Sequence, residues 1–190
     1  MGSIVVFENV SLDGVTQDPT GEEGFSARDW RAVLAQSDRE KWDTLIRDDS
    51  LGAQALLLGR RSYEFFAARY PYRTGELADR LNRLPKYVVS ATLANPAWNN
   101  STVLKGDVLN EVSTLKQHID GDIVIAGSFQ LVRTLIEHDL VDELRLMVFP
   151  VVLGEGKRLF DGTTDKKRLR LTDSKTVGDG VMILIYEPVR

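Results

Sequence analysis

The fold of this chain is constrained most by a regular alternation of short apolar runs with segments of helical periodicity. These runs predict strands at Ser3–Glu8, Ala55–Leu58, Lys86–Ser90, Thr102–Leu104, Asp122–Ala126 and Glu143–Phe149. Apolar, β-branched runs of this length, separated by helices, are typical of βα units around a largely parallel and buried sheet. The sequence therefore predicts an α/β protein.

The last part of the chain has a different pattern. Two further apolar runs, Leu169–Val177 and Val181–Glu187, flank the tripeptide Gly178-Asp179-Gly180. Glycine tolerates the positive φ angles that tight hairpin turns require. We therefore expect an antiparallel hairpin at this end of the sheet.

Polar residues mark the starts of several helices. Ser37-Asp38-Arg39-Glu40 has the sequence of a capping box, and Asp107 and Ser128 are each placed to cap a following helix. Leu77–Leu84 predicts a short helix that ends before a proline. In contrast, Ser11–Gly24 has no periodicity and is rich in Gly, Asp and Pro. A long loop after a buried strand is often functional.

Length and charge exclude several classes of protein. A chain of 190 residues suits one domain, spanning 1–190, and is long enough for a sizeable core. Its 24 basic and 28 acidic residues give a net charge of −4, which disfavours a nucleic-acid partner. The first residues lack a secretory signal, and no apolar run is long enough to span a bilayer. We therefore expect a cytoplasmic protein without a membrane partner.

Several catalytic motifs are absent from the sequence. It contains no Rossmann Gly-x-Gly-x-x-Gly pattern, no P-loop, no zincin His-Glu-x-x-His and no Gly-x-Ser-x-Gly nucleophile elbow. The chain also has no cysteine, which removes cysteine-based zinc and redox sites. We expect neither a serine hydrolase nor a metal site.

Polar residues follow three of the predicted strands, at the points where these strands end. The three segments are Gly59-Arg60-Arg61-Ser62, Ser90-Ala91-Thr92 and Ala126-Gly127-Ser128. Open α/β sheets bind ligands at the carboxyl ends of their strands, and a helix N-terminus favours an anion. Each segment also has a purely structural interpretation, as a surface arginine pair or as a simple turn. Together they indicate a ligand with several phosphates, and a dinucleotide fits.

In this order and spacing, the segments resemble the dihydrofolate-reductase-like superfamily. The resemblance is to the branch related to the reductase domain of the riboflavin-biosynthesis deaminase–reductase, the RibD C-terminal domain. It also includes Ser11-Leu12-Asp13-Gly14 and Pro150-Val151-Val152-Leu153-Gly154-Glu155-Gly156, and it covers nearly the whole chain. It implies a dihydrofolate-reductase-like three-layer α/β fold, with a mostly parallel central sheet and the terminal antiparallel hairpin.

The resemblance also implies that NADPH binds across the carboxyl edge of the sheet. The 2′-phosphate and adenosine end is assigned to Gly59, Arg60, Arg61, Ser62, Ser90 and Thr92, with Lys105 near the adenine. The pyrophosphate is assigned to Gly127, Ser128, Phe129 and Gln130. The substrate is expected beside the nicotinamide, near a mobile loop that contains Ser11, Asp13 and Gly14, and near Trp42.

The proton donor is left open by the sequence. Asp38 and Trp42 have the spacing of the acid and aromatic residue found on the first helix of dihydrofolate reductases. Asp38 also suits a helix N-terminus for electrostatic reasons alone. Asp13 is a second candidate for the catalytic acid.

The substrate is also left open, because the chain departs from both families at the expected substrate site. Ala126 replaces the substrate-contacting Glu of the riboflavin enzyme, and the folate signature Leu-Pro-Trp is missing. These departures argue against the phosphoribosyl pyrimidine and against folate itself.

We therefore expect an NADPH-dependent reductase of a small heterocycle, related to 5-amino-6-(5-phosphoribosylamino)uracil reductase and dihydrofolate reductase. The alternative is a non-catalytic nucleotide- or ligand-binding module on the same scaffold. The family resemblance also implies a homodimer, for which the apolar segment 144–153 and the terminal hairpin are the predicted interface.

Overall fold

A computed structural model describes residues 1–25, 29–162 and 166–189, and its centre is one eight-stranded sheet. The strands are β1 (Ser3–Ser11), β2 (Ala55–Gly59), β3 (Lys86–Val89), β4 (Ser101–Leu104), β5 (Asp122–Ala126), β6 (Glu143–Phe149), β7 (Leu169–Val177) and β8 (Val181–Pro188). Their order across the sheet is β4-β3-β2-β5-β1-β6-β8-β7. The first six strands run parallel, and β8 is antiparallel to β6 and β7. The mostly parallel sheet and the terminal hairpin are therefore confirmed.

Helices cover both faces of the sheet. They are α1 (Gln36–Gly52), α2 (Arg60–Ala67), α3 (Glu76–Arg83), α4 (Val108–His118) and α5 (Phe129–Glu137). A 3-10 helix at Trp30–Val33 precedes α1, and another lies at Tyr70–Tyr72. Apolar residues of α4 and α5 pack with alternate residues of β1, including Val6 and Val10. The opposite face of the sheet packs against Tyr63 of α2 and against Trp30. The two helical layers and the sheet form the expected three layers.

The first strand is longer than the sequence predicts. It pairs with β5 only as far as Phe7 and Ala126, but it continues beside β6 until Ser11 pairs with Phe149. Four residues of β1, from Glu8 to Ser11, therefore lack a β5 partner. A gap opens between β1 and β5 at the carboxyl edge of the sheet.

Two helix starts differ in detail from the prediction. Helix α1 begins at Gln36, so Ser37 lies inside the helix and is not its cap. Ser128 precedes α5, but its hydroxyl does not cap that helix; it instead accepts a hydrogen bond from the backbone N–H of Gly59. Asp107 caps α4 as predicted, because its Oδ1 accepts a bond of 3.0 Å from the N–H of Asn110.

Residues 144–149, the first part of the apolar segment predicted as a dimer interface, are not available for one. Strand β6 lies inside the sheet, between β1 and β8, and its apolar residues are used in the core. Leu144, Met147 and Phe149 are each at most 1% exposed. The apolar character of 144–149 therefore reflects burial within one chain. In the part of the chain that the structure describes, no helix is both long enough and apolar enough to cross a bilayer.

Candidate functional site

The N-termini of α2 and α5 are held together by two serines. The N–H of Ser128 donates to Oγ of Ser62 over 2.9 Å, and the N–H of Gly59 donates to Oγ of Ser128 over 2.9 Å. The partners are 66 and 69 residues apart in the chain. The reciprocal pair, here called the serine link, joins the strand ends of β2 and β5. Two of the three predicted phosphate-binding segments therefore lie side by side.

The third segment joins the same edge through Arg60. Its Nη1 donates to Oγ1 of Thr92 over 2.5 Å, and its Nε contacts Oε1 of Glu64 over 2.7 Å. Ser90 is 8% exposed. Its hydroxyl oxygen accepts hydrogen bonds from the N–H groups of Thr92 and Leu93, which fixes the turn after β3. One guanidinium group therefore bridges the β2 and β3 ends of the edge.

Gly127 approaches Ser62 more closely than a residue with a side chain could. Its φ is +66°, and a Cβ at this position would lie 2.9 Å from Oγ of Ser62. Ser128 is also left-handed, with φ of 62°. Backbone N–H groups in such a turn, at the start of a helix, form a cradle for an anion. The residues present therefore fit the pyrophosphate of a dinucleotide.

The remaining predicted cofactor residues lie around this cradle. Arg61 and Gln130 are exposed in the first turns of α2 and α5, and Lys105 is exposed just after β4. The ring of Phe129 lies at the start of α5, with Nζ of Lys157 5.6 Å from its centroid. Sequence reasoning missed Lys157, because it comes from a distant segment. Its ammonium group adds positive charge beside the cradle.

The loop after β1 is bonded to the segment that follows β6. Asp13 accepts hydrogen bonds from the N–H groups of Leu153 and Gly154 and from the hydroxyl of Ser11. The side chain of Arg158 donates to the carbonyl oxygen of Asp13, and the N–H of Leu159 donates to that of Gly14. We call the two paired segments, 11–17 and 151–159, the clasp.

The clasp keeps Asp13 ionised. The hydroxyl of Ser11 and the two backbone N–H groups lower the pKa of this carboxyl to about 2. Asp13 therefore carries no proton near neutral pH. In this geometry its carboxylate serves the clasp.

Asp38 lies at the other end of the carboxyl edge. Its carboxyl group packs against Gly178, in the turn between β7 and β8, and is 3.2 Å from Nζ of Lys41. It is 7% exposed. Trp42 is part of α1, but its side chain lies outside the described residues. Two strands separate β1 from β7, and at about 4.8 Å per strand this places Asp38 well away from the gap beside β1.

A buried carboxyl group at the gap was missed by the sequence analysis. Glu8 is 4% exposed, and its Oε2 accepts a 3.0 Å bond from Oγ1 of Thr16. Among the described residues, its Oε1 has no hydrogen-bond partner. Burial raises its pKa to about 8, against a smaller lowering effect of the Thr16 hydroxyl. The sequence contained a signal for this, because Glu8 shares its strand face with Ile4, Val6 and Val10.

The strand order, the three layers and the anion cradle at the carboxyl edge define a dihydrofolate-reductase-like α/β protein. The family model of the RibD C-terminal domain matches residues 3–183, and the chain belongs to this family. The Bacillus subtilis protein YyaP, whose role is uncharacterised, is 32% identical over 182 residues, covering 93% of this chain and 90% of YyaP. A second uncharacterised protein of that organism, YwjB, is 28% identical and covers 94% of each chain.

Solved structures agree with this fold. A Shewanella protein ascribed to riboflavin biosynthesis superposes with a TM-score of 0.77 at 19% identity, over 99% of both chains. A pyrimidine reductase-like protein of Corynebacterium diphtheriae gives 0.63 at 13% identity, over 99% of this chain and 92% of that one. The Thermotoga maritima deaminase/5-amino-6-(5-phosphoribosylamino)uracil reductase gives 0.65 at 12% identity, and the match spans 57% of its length. At these identities the similarity defines the fold.

Proposed function

We propose that this protein is an NADPH-dependent reductase that acts on a small unsaturated heterocycle. The observation that carries the proposal is the serine link, which sets two helix N-termini side by side at the carboxyl edge. A phosphorylated dinucleotide carries negative charges on its pyrophosphate and on its 2′-phosphate, and neighbouring helix N-termini favour such anions. NADPH would supply hydride, and the protein would bind it, orient it and exclude water.

Each part of the edge has a proposed task. Gly127 and the backbone of the α5 N-terminus hold the pyrophosphate. Arg60 and Arg61 neutralise the 2′-phosphate, with Ser90 and Thr92 beside them. Guanidinium groups bind phosphate through several charge-assisted hydrogen bonds, so this end selects NADPH over NADH.

The first test is a titration of NADPH and NADH by fluorescence. We expect NADPH to bind more tightly, and the double substitution R60Q/R61Q to weaken NADPH binding about 10- to 100-fold while leaving NADH unchanged. The matched control is R170Q, because Arg170 is an exposed arginine on β7, near the amino edge of the sheet. Equal affinity of the wild-type protein for both nucleotides would contradict the role given to the two arginines.

A non-catalytic binding module on the same scaffold is the second candidate. It is favoured by the state of Asp13, since this predicted acid is ionised and bound to backbone N–H groups. NADPH oxidation with a panel of pterins and pyrimidines separates the two functions. Turnover of any of them supports the reductase, whereas tight NADPH binding without turnover of the whole panel supports the module.

A further inference from the structure

Glu8 is a buried carboxyl group that the structure leaves with an unused hydrogen-bonding atom. Its Oε1 is without a partner within the described part of the chain, while Oε2 accepts from Thr16. Leaving a buried polar atom unpaired costs about 1–3 kcal/mol, so native proteins usually pair such an atom with a protein group, a water or a ligand. A ligand that pairs with Oε1 would recover this cost.

The position of Glu8 indicates which ligand atom that is. Side chains alternate along a strand, so Glu8 projects from the same face of β1 as Val6 and Val10, the face covered by α4 and α5. It is also the first residue of β1 beyond the last β5 pair. Glu8 therefore borders the gap, on the side where α5 begins.

A dinucleotide bound as proposed would end at this gap. Its phosphorylated ribose lies by Arg60 and Thr92, between the ends of β2 and β3, and its pyrophosphate lies at the start of α5 after β5. The next strand in the same direction is β1. From β3 to β1 is about 14 Å at the usual strand spacing, a distance that an extended dinucleotide covers. The nicotinamide end would thus come to Glu8.

The protonation of Glu8 matches a neutral partner. Because Oε2 already accepts a hydrogen bond from the Thr16 hydroxyl, the carboxyl proton is best placed on Oε1, which is then a free donor. A carboxylate at this place would repel the phosphates of the dinucleotide, whereas the neutral acid does not. The carbonyl oxygen of the nicotinamide carboxamide is the acceptor at that end of the ligand.

We propose that Glu8 binds the carboxamide of the nicotinamide ring as a neutral carboxylic acid, with Oε1–H donating to the carboxamide oxygen. This inference rests on the proposed function, because it needs NADPH at the carboxyl edge. Thr16 is a positioning residue for Glu8. The contact would make NADPH binding depend on a proton held by the protein.

The test compares NADPH with adenosine 2′,5′-bisphosphate, which keeps the 2′-phosphate but has no nicotinamide. Kd values are measured by calorimetry from about pH 6.5 to about pH 9, and the bisphosphate corrects for ionisation of the ligand phosphate. In the wild-type protein, the ratio of the NADPH affinity to the bisphosphate affinity should fall about tenfold from pH 7 to pH 9. The reason is that Glu8 loses its proton above about pH 8.

Two variants make the test specific. Glu8→Gln keeps a neutral donor at every pH, so its NADPH affinity should match that of the wild type at pH 7 and show no loss at pH 9. Glu8→Leu has no donor, so its NADPH affinity should be about tenfold lower throughout. All three proteins should bind the bisphosphate equally.

The outcomes separate the inference from the proposed function. A wild-type NADPH affinity that stays level up to pH 9 relative to the bisphosphate overturns the role of Glu8 and leaves the reductase proposal intact. Failure of both ligands to bind removes the two proposals together. If a variant does not fold, as judged by circular dichroism, the wild-type comparison of the two ligands still decides the question.

Discussion

At the scale of single residues, the polar positions of the carboxyl edge were predictable and their bonds were not. Ser62, Ser90 and Ser128 stand at the ends of apolar runs, which is a local pattern. The hydrogen bond from the N–H of Ser128 to Oγ of Ser62 joins residues 66 positions apart, and local periodicity contains no information about it. Asp38 is similar, because its neighbour Gly178 belongs to the last hairpin.

Glu8 was missed for a different reason. The predicted first strand ends at Glu8, and no role was predicted for its side chain. In the structure the strand continues to Ser11, and alternation then places Glu8 on the buried face. Strand ends are difficult to predict, because pairing with β6 decides where β1 stops.

Glu8 should make the stability of the protein depend on pH. Its pKa is about 8 in the folded state against 4.5 for the ordinary group, so between these values only the folded state holds the proton. The stabilisation is complete below pH 4.5 and is lost as pH rises to about 8, at about 1.4 kcal/mol per pH unit. Urea denaturation between about pH 5.5 and about pH 7.5 measures this slope.

The Glu8→Gln variant is the comparison for that slope. Glutamine has the same shape and does not titrate. The free energy of unfolding of the variant should therefore rise relative to that of the wild type as pH rises. Parallel curves for the two proteins would mean that Glu8 has an ordinary pKa.

At the scale of elements, the turn from β5 to α5 is the most demanding segment. Gly127→Ala should destabilise the protein by about 1–3 kcal/mol, because it adds both a positive-φ penalty and a contact with Ser62. It should also weaken NADPH binding, since the methyl group would displace the Ser62 hydroxyl and shift the proposed pyrophosphate cradle. Thermal unfolding and the fluorescence titration measure the two effects.

Gly154 provides a matched control for Gly127. Its φ is +77°, close to that of Gly127, but a Cβ there would meet nothing within 4 Å. Gly154→Ala should therefore cost only the backbone term, about 1 kcal/mol. If the two alanine variants lose the same stability and bind NADPH equally, the cradle is not formed by Gly127.

The clasp is an element that was not predicted from the sequence. The segment Ser11–Gly24 has loop composition, and the resemblance implied a mobile loop. In the structure, residues 11–17 are bonded to 151–159 across the chain. Asp13→Ala should speed amide exchange at Leu153 and Gly154 about tenfold or more, because both N–H groups lose their acceptor. Asp173→Ala, at an exposed carboxyl on β7, is the control and should leave those amides unchanged.

At the scale of the whole molecule, the α/β class and the hairpin followed from the pattern of runs and the three layers from the family resemblance, whereas assembly did not. The apolar segment 144–149 looked like an interface because an interior strand and an exposed apolar strand have the same composition. Two apolar residues of the predicted interface stay accessible for a partner: Val152, 70% exposed, and Leu171 on the outer strand β7, 49% exposed.

A homodimer through the terminal hairpin stays a prediction. Light scattering should give the mass of two chains, and Leu171→Lys should shift the protein to one chain, because a charge in the interface would be desolvated. Tyr72→Lys is the control, since Tyr72 is 84% exposed and belongs to the α2–α3 connection. A wild-type protein that scatters as a monomer ends this prediction.

The serine link has a consequence for how cofactor preference could change. Both hydroxyl oxygens accept from main-chain N–H groups in joining α2 to α5, so the proposed pyrophosphate site would use the other N–H groups at the start of α5. The arginines proposed to select NADPH lie outside that arrangement, on the exposed start of α2. Under the proposed function, binding of the diphosphate and selection of the 2′-phosphate would therefore be separable, and a redesigned preference for NADH would begin with Arg60 and Arg61.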